Sequence, residues 1–444
     1  MFSWVAGDML FGMGERVKNF LWYTFVFLLP WQTVWIFREV FVDGEKWQYA
    51  TIGMYVSDIV LVAFAIFFYL CASRETWREL SRDVFVRIFV ALLAWSLLST
   101  LWAINRELAL LSVWRVFLMT LVYVCMRYGG VSFRKTIAMF LFSMTVQAGL
   151  ALSQWVSQFV FSSSLFGIAQ HDPSQWGTFV LKTESGRFLR AYGGFEHPNV
   201  LGGALAMAIL FGVWLSVTAR RLCVRVALLG MTVVSSFALV VTFSRSAWMA
   251  LGCGGGVLFL GLINLNRRII AVRKVAQRLA ISLFFVGTSF SLGFLLVRDI
   301  AMSRFSDETL AREGSLSDRA VYMEQALVAI REHPILGVGG GNFTAFSMER
   351  FPDAGAFVGA FQPVHMVPIL VFVELGVIGF VLFLLLFAFG FARAWKQRNV
   401  LSLSILFALV PMLLIDHWLW SGHFGALFLG FLLGVCARDD ALLT

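Results

Sequence analysis

Four stretches of this sequence hold the residues that could do chemistry. Arg190, His197 and Asn199 fall in RFLRAYGGFEHPNVLGG, Arg187 to Gly203. Arg245 falls in VTFSRSAW, His365 and Glu374 in PVHMVPILVFVELG, and Asp416-His417 closes an apolar run. Guanidinium groups grip phosphate oxygens in pairs. They can stabilise a departing diphosphate without any nucleotide. A neutral imidazole or a carboxylate can accept the proton of a hydroxyl. Pro198 suits the first turn of a helix, whose free N–H groups and dipole attract anions. Singly, each residue has a plainer reading. Arg245 could be a snorkelling anchor, and a lone interfacial histidine more often hydrogen-bonds than catalyses. The chemistry therefore depends on elements that bring the four stretches together.

Those elements are membrane helices. Of 444 residues, 59% are hydrophobic and only 14% charged, with a mean hydropathy of +0.82. A soluble domain carries about 25% charged residues, so soluble and disordered classes are excluded. On a soluble chain the net charge of +9 would suggest nucleic acid; here it concerns which side of the bilayer holds the Lys and Arg. Twelve apolar stretches qualify as spans: 20–37, 51–71, 84–103, 107–127, 137–160, 199–218, 226–243, 246–264, 279–297, 364–392, 399–415 and 418–436. The first is expected to be retained, because no small-x-small cleavage site follows it. With the N-terminus in the cytoplasm, the inner segments hold twenty Lys and Arg. The short outer ones hold four: Arg38, Lys46, Arg106 and Arg245. A miscounted span would invert that asymmetry downstream. Both termini are thus expected inside, and all four chemical stretches at the outer face.

The expected fold is an all-α polytopic bundle of about twelve spans with a large outer loop. It divides into N-terminal helices (1–160), a first outer loop (161–198), central helices (199–297), the large outer loop (298–363) and C-terminal helices (364–444). In the large loop, Ser317 is the expected N-cap of an amphipathic helix. Its buried face is expected to carry Ala320, Met323, Leu327 and Ile330, with Pro334 ending it. LGVGGGNF follows. It has no Lys-Ser/Thr and so is no nucleotide loop; it is either a tight turn re-entering the core or an anion-binding nest. Gly202, Gly203, Ala204 and Ala206 allow close helix approach. Asp58, Arg115 and Glu374 lie at membrane depth and need partners, whereas Arg87 can snorkel. The five cysteines show no metal or disulfide spacing.

RAYGGFEHPNVLGG, TFSRSAW, REHPILGVGGGNF and HMVPILVFVELG, in this order around a large outer loop, resemble the O-antigen ligase/polymerase family. LLPWQTVWIF and DHWLWSGH echo it at the two ends. The resemblance implies a glycan transferase outside the plasma (inner) membrane. Its donor would be an undecaprenyl-diphosphate-linked glycan and its acceptor a lipid core or another glycan. It implies neither cofactor nor metal, and no nucleic-acid partner. By the same resemblance Arg190 and Arg245 hold the diphosphate and His365 activates the acceptor. The family often reads His-Asn where this chain has His365-Met366, which removes one polar group at the acceptor side. His197, Asn199, Glu374, Asp416 and His417 are candidate substrate-binding groups, with Glu374 or Asp416 orienting His365. A single displacement would invert the anomeric carbon. Three alternatives stand beside this ligase reading. One is a polymerase of the same family. Another is a flippase for lipid-linked oligosaccharides, which would place its polar residues at mid-membrane. The third is a cell-wall polymerase using a loop aspartate such as Asp299, Asp307, Asp318 or Asp353. A purely structural membrane protein would not need Arg and His from distant helices on one face.

Overall fold

The computed structural model describes residues 2–42, 44–175, 177–183, 186–266, 272–303, 315–354 and 361–438. Asp307 lies outside them. The helices are α1 (Phe2–Leu28), α2 (Val56–Cys71), α3 (Arg74–Arg82), α4 (Val84–Ser99), α5 (Arg106–Tyr128), α6 (Phe133–Ser157), α7 (Pro198–Thr218), α8 (Leu222–Val241) and α9 (Arg245–Asn266). They continue with α10 (Val272–Leu296), α11 (Arg298–Ser303), α12 (Ser315–Glu332), α13 (Phe343–Arg350), α14 (Val367–Gln397), α15 (Val400–Ile415), α16 (Trp418–Ser421) and α17 (His423–Cys436). Among the described residues, three small antiparallel ribbons decorate the loops: β1 (Val34–Arg38) with β4 (Ile52–Tyr55), β2 (Phe41–Val42) with β3 (Glu45–Lys46), and β5 (Val180–Thr183) with β6 (Gly186–Leu189).

Among the described residues, seven helices, α5 to α10 and α14, are long and apolar enough to cross a membrane, and α2 with α3 adds an eighth only as a pair bent by 115°. Twelve were expected. Each expected stretch does hold a helix, but α4 and α15 have 16 residues and α17 has 14. Sixteen residues rise about 24 Å, short of the roughly 30 Å hydrocarbon core. The first stretch also differs. Its helix ends at Leu28, and Val34–Arg38 pairs as a strand with Ile52–Tyr55. Pro30 stops the helix, and the β-branched and aromatic run VWIF favours a pleated ribbon.

α7 is the axis of the bundle, buried along its whole length. Its small residues permit this. A Cβ on Gly203 would fall 2.6 Å from the side chains of both Met412 and Trp418. The neighbours of α7 include α6, α8, α9 and α15.

α14 is broken at Gly376, which sits at φ 65°, ψ −171°. The break exposes carbonyls that the LGVGGGNF turn then uses. Val338 N–H donates to the Val373 carbonyl and Gly339 N–H to that of Glu374, both at 2.9 Å. Only glycine fits, since a Cβ on Gly376 would lie 2.0 Å from the Ile335 carbonyl oxygen. Gly340 N–H is taken by Ser99 Oγ at 3.2 Å. These N–H groups are spent on the protein, so the segment is a re-entrant turn and not an anion nest.

In the large loop, α12 begins at Ser315, two residues before the expected cap. Its buried face is Tyr322, Gln325, Ala326 and Ala329; of the face expected, Met323 and Ile330 are half-buried against the core, whereas Ala320 and Leu327 are exposed. The two alanines let the helix lie close to α14, against which it packs. That roll turns Arg319 and Tyr322 toward the bundle.

Candidate functional site

The starts of α2, α5, α7, α9, α14 and α17 and the ends of α1, α4, α6, α8 and α15 share one end of the bundle. The expected inner basic residues tie together the opposite end. There Arg438 donates to the Met126 and Val131 carbonyls, Arg134 to Thr218, and Arg393 to the Ala437 carbonyl.

At the first end lies a cavity of about 380 Å³. Lys182, Arg187, Arg190, Arg245 and Arg319 line it against one carboxylate, Asp318. The hairpin places Lys182 directly opposite Arg187. Like charges in that position repel, and an anion between them removes the penalty. Arg190 is strapped in place by its backbone, whose N–H donates to the Phe179 carbonyl at 3.2 Å, while Ala191 N–H donates to that of Val241 at 3.1 Å. Two buried glutamines of α6 hold the following glycines: Gln154 Oε1 accepts from Gly193 N–H (2.8 Å) and Gln147 Oε1 from Gly194 N–H (2.6 Å). Arg245 opens α9 just after Phe243, a fully buried residue at φ 50°. A bulky residue in the left-handed region costs about 1 kcal/mol or more. This turn offers the Thr242 carbonyl to Arg190 Nε at 2.9 Å and brings Arg245 to the same cavity wall. Among the described residues, no acidic side chain ion-pairs with Arg245 or Arg319.

A second cavity of about 460 Å³ adjoins the first, sharing His197 and His365 as wall residues. Its other polar walls include Arg115, Glu196, Asp416, His417 and His423, and aromatic walls include Tyr49, Tyr55, Trp114 and Trp418. One chain of hydrogen bonds joins the two cavities. Arg190 Nη2 donates to Asn199 Oδ1 at 2.6 Å, and Asn199 Nδ2 donates to Asp416 Oδ2 at 2.9 Å. His197 caps α7, its Nδ1 accepting from Asn199 N–H at 2.9 Å. The neutral ring then carries its proton on Nε2. Desolvation and then the Arg190 charge hold His197 well below the ordinary histidine range.

The His365 and His417 rings meet edge to face with centroids 4.6 Å apart. Desolvation, with Arg319 adding to it against Asp416, lowers His365. Desolvation and His365 push His417 down to about 3. Burial alone would raise Asp416, but the surrounding histidines and the Asn199 hydrogen bond outweigh it and leave the carboxyl below its usual range. Near neutral pH the group is one carboxylate beside neutral imidazoles. Such a set can accept a proton from a hydroxyl and stabilise the imidazolium that forms.

The structure therefore gathers Arg190, His197, Asn199, Arg245, His365, Asp416 and His417 around the two cavities. Glu374 lies outside both, in the wall of a small void that shares Tyr49 and Arg115 with the second cavity, where it accepts from Trp420 Nε1 at 2.8 Å. Asp58 is paired with His423 at 3.0 Å, and Tyr55 stacks on that imidazole at 3.7 Å between centroids. Sequence reasoning missed Lys182, Arg187 and Arg319 in the cationic wall. The first two carried a signal as facing cations on a short hairpin. Arg319 carried none, because its orientation depends on the roll of α12.

Fold and site together define a multi-helix membrane protein with a strongly cationic cavity at one end. Residues 230–384 match the family model described as O-antigen ligase. This supports the O-antigen ligase/polymerase family for the chain and indicates a ligase- or polymerase-like function. The match includes Arg245 and His365 but leaves out Arg190, His197, Asn199, Asp416 and His417, which the fold brings beside them. No curated protein matches the chain.

Proposed function

We propose that the protein moves a glycan from an undecaprenyl-diphosphate carrier to an acceptor hydroxyl at the extracytoplasmic face, as an O-antigen ligase does. The observation that carries this reading is the joining of the cationic cavity to the histidine-lined one through Arg190, Asn199 and Asp416. The diphosphate occupies the first cavity, against Arg190, Arg245 and Arg319, with Lys182 and Arg187 at its rim. The acceptor sugar enters the second, where aromatic rings offer stacking faces and Glu196 a hydroxyl acceptor. His365 takes the acceptor's proton as its oxygen attacks the anomeric carbon. The bond from that carbon to the diphosphate oxygen breaks, and the guanidinium groups take up the charge that develops on the leaving group. Asp416, clustered with His365 and His417, stabilises the new imidazolium. The position of Glu374 favours Asp416 over it in this role. One displacement inverts the anomeric configuration. The gathering of these groups at one end of the bundle favours a transferase over a carrier with a mid-membrane site.

The test is transfer by the purified full chain from a carrier-linked oligosaccharide to a lipid-core acceptor. His365→Ala and Arg245→Ala should abolish it while keeping the helical content of the parent. Normal transfer in either variant removes that residue from the mechanism. Chain extension with the donor alone would assign a polymerase.

A further inference from the structure

We propose that His365, Asp416 and His417 form a binding site for a divalent transition cation of the zinc class, and that its occupancy stops transfer by taking His365 as a ligand. One atom from each residue, an imidazole nitrogen or a carboxylate oxygen, lies within 4.8 Å of the others. Two imidazoles and a carboxylate are a donor set that suits zinc, with a fourth position left to solvent. A tetrahedral ion needs its ligand atoms roughly 3.3 Å apart, so the side chains must close inward by a modest rotation.

Three features of the surroundings prepare the set. His417 Nδ1 is engaged by Ser421 Oγ at 2.6 Å, which fixes the ring and leaves Nε2 for a metal, as outer hydrogen bonds do for metal-bound histidines. His365 Nδ1 is buried with no hydrogen bond of full geometry, the ring having only a weak contact to the Pro363 backbone, and coordination would satisfy it better. Asp416 is oriented by Asn199 Nδ2 and by the His417 N–H, each at 2.9 Å. All three side chains line the open second cavity, which gives an ion a way in. The charges set the strength. Arg319 and Arg190 oppose a dication, while Asp416 and Glu196 favour it. The balance points to reversible binding by a regulator, not to a permanently held structural ion.

Inhibition rests on the base role given to His365 above, whereas binding does not. Full-length protein in nanodiscs, stripped with chelator, is titrated with Zn²⁺ against a fluorescent competitor. One ion should bind per chain, and zinc-edge absorption should show two imidazoles. Asp416→Asn and His417→Gln should each weaken binding roughly tenfold or more. His333→Ala, at an exposed loop histidine, should leave it unchanged. Absence of binding, or equal binding in the Asp416 and His417 variants with parental helical content, overturns the site whatever the transfer activity. In the transfer assay Zn²⁺ should inhibit over the concentrations at which it binds, with EDTA restoring activity. Bound zinc with undiminished transfer would keep the site and overturn its coupling to His365. Stimulation by zinc would do the same and replace the metal-free base with a metal-assisted one.

Discussion

Asn199 is the most exposed joint in the proposed machinery, because it touches both cavities through two short hydrogen bonds to charged groups. Its Oδ1 holds Arg190 at 2.6 Å and its Nδ2 holds Asp416 at 2.9 Å. Asn199→Leu keeps the volume and removes both. Hydrogen bonds to charged groups contribute about 1.5–3 kcal/mol each, but both partners face a cavity where water can replace part of the loss. The net cost to the transition state is then about 2–3 kcal/mol, or roughly 30- to 160-fold in kcat/KM. kcat should fall more than donor KM rises, since Arg190 meets most of the negative charge only as the leaving group departs. α7 should survive, because its N-terminal cap is the His197 side chain and its packing lies further along. Asn199→Asp sharpens the test. It keeps an acceptor for Arg190 but sets a carboxylate against Asp416, and should do at least as much damage at neutral pH. The assay is steady-state transfer with donor and acceptor varied separately, alongside thermal melting. Asn199→Leu activity within about twofold of the parent, in folded protein, would refute the claim that this relay couples the cavities.

Three further perturbations follow from the same geometry. Arg319→Ala removes one cation from the diphosphate wall and should raise donor KM roughly tenfold, with Arg319→Lys recovering part of it; donor titration reads this directly. Lys182→Glu turns the repelling pair with Arg187 into an attracting one. It should raise thermal stability by up to about 0.5 kcal/mol while weakening donor binding, so stability and affinity move in opposite directions. Gly376→Ala forces a Cβ to within 2.0 Å of the Ile335 carbonyl oxygen at φ 65°. It should cost about 3 kcal/mol or more, seen as a lower melting temperature or loss of folded protein from membranes.

How far the sequence disclosed this arrangement depended on how local each cause was. α7 was legible almost to the residue, because a first-turn proline and an unbroken small and apolar run are local signals. The first span was misjudged because hydropathy continues through Trp35-Ile36-Phe37 while Pro30 has already ended the helix. Arg190, His197 and Asn199 were legible as a group because ten consecutive residues contain them, the last in the first turn of α7. Asp416 and His417 reach His365 only through the packing of α14 with α15 and α16, which no spacing encodes. Glu374 shows the converse. Its depth in α14 made it a reasonable partner for His365, yet its carboxylate is held by Trp420 of α16, and the break at Gly376 commits the carbonyl beside it to Gly339. Arg319 depended on the roll of one helix about its axis. Its buried face carries Ala326 and Ala329 together with Tyr322 and Gln325, and leaves Leu327 exposed.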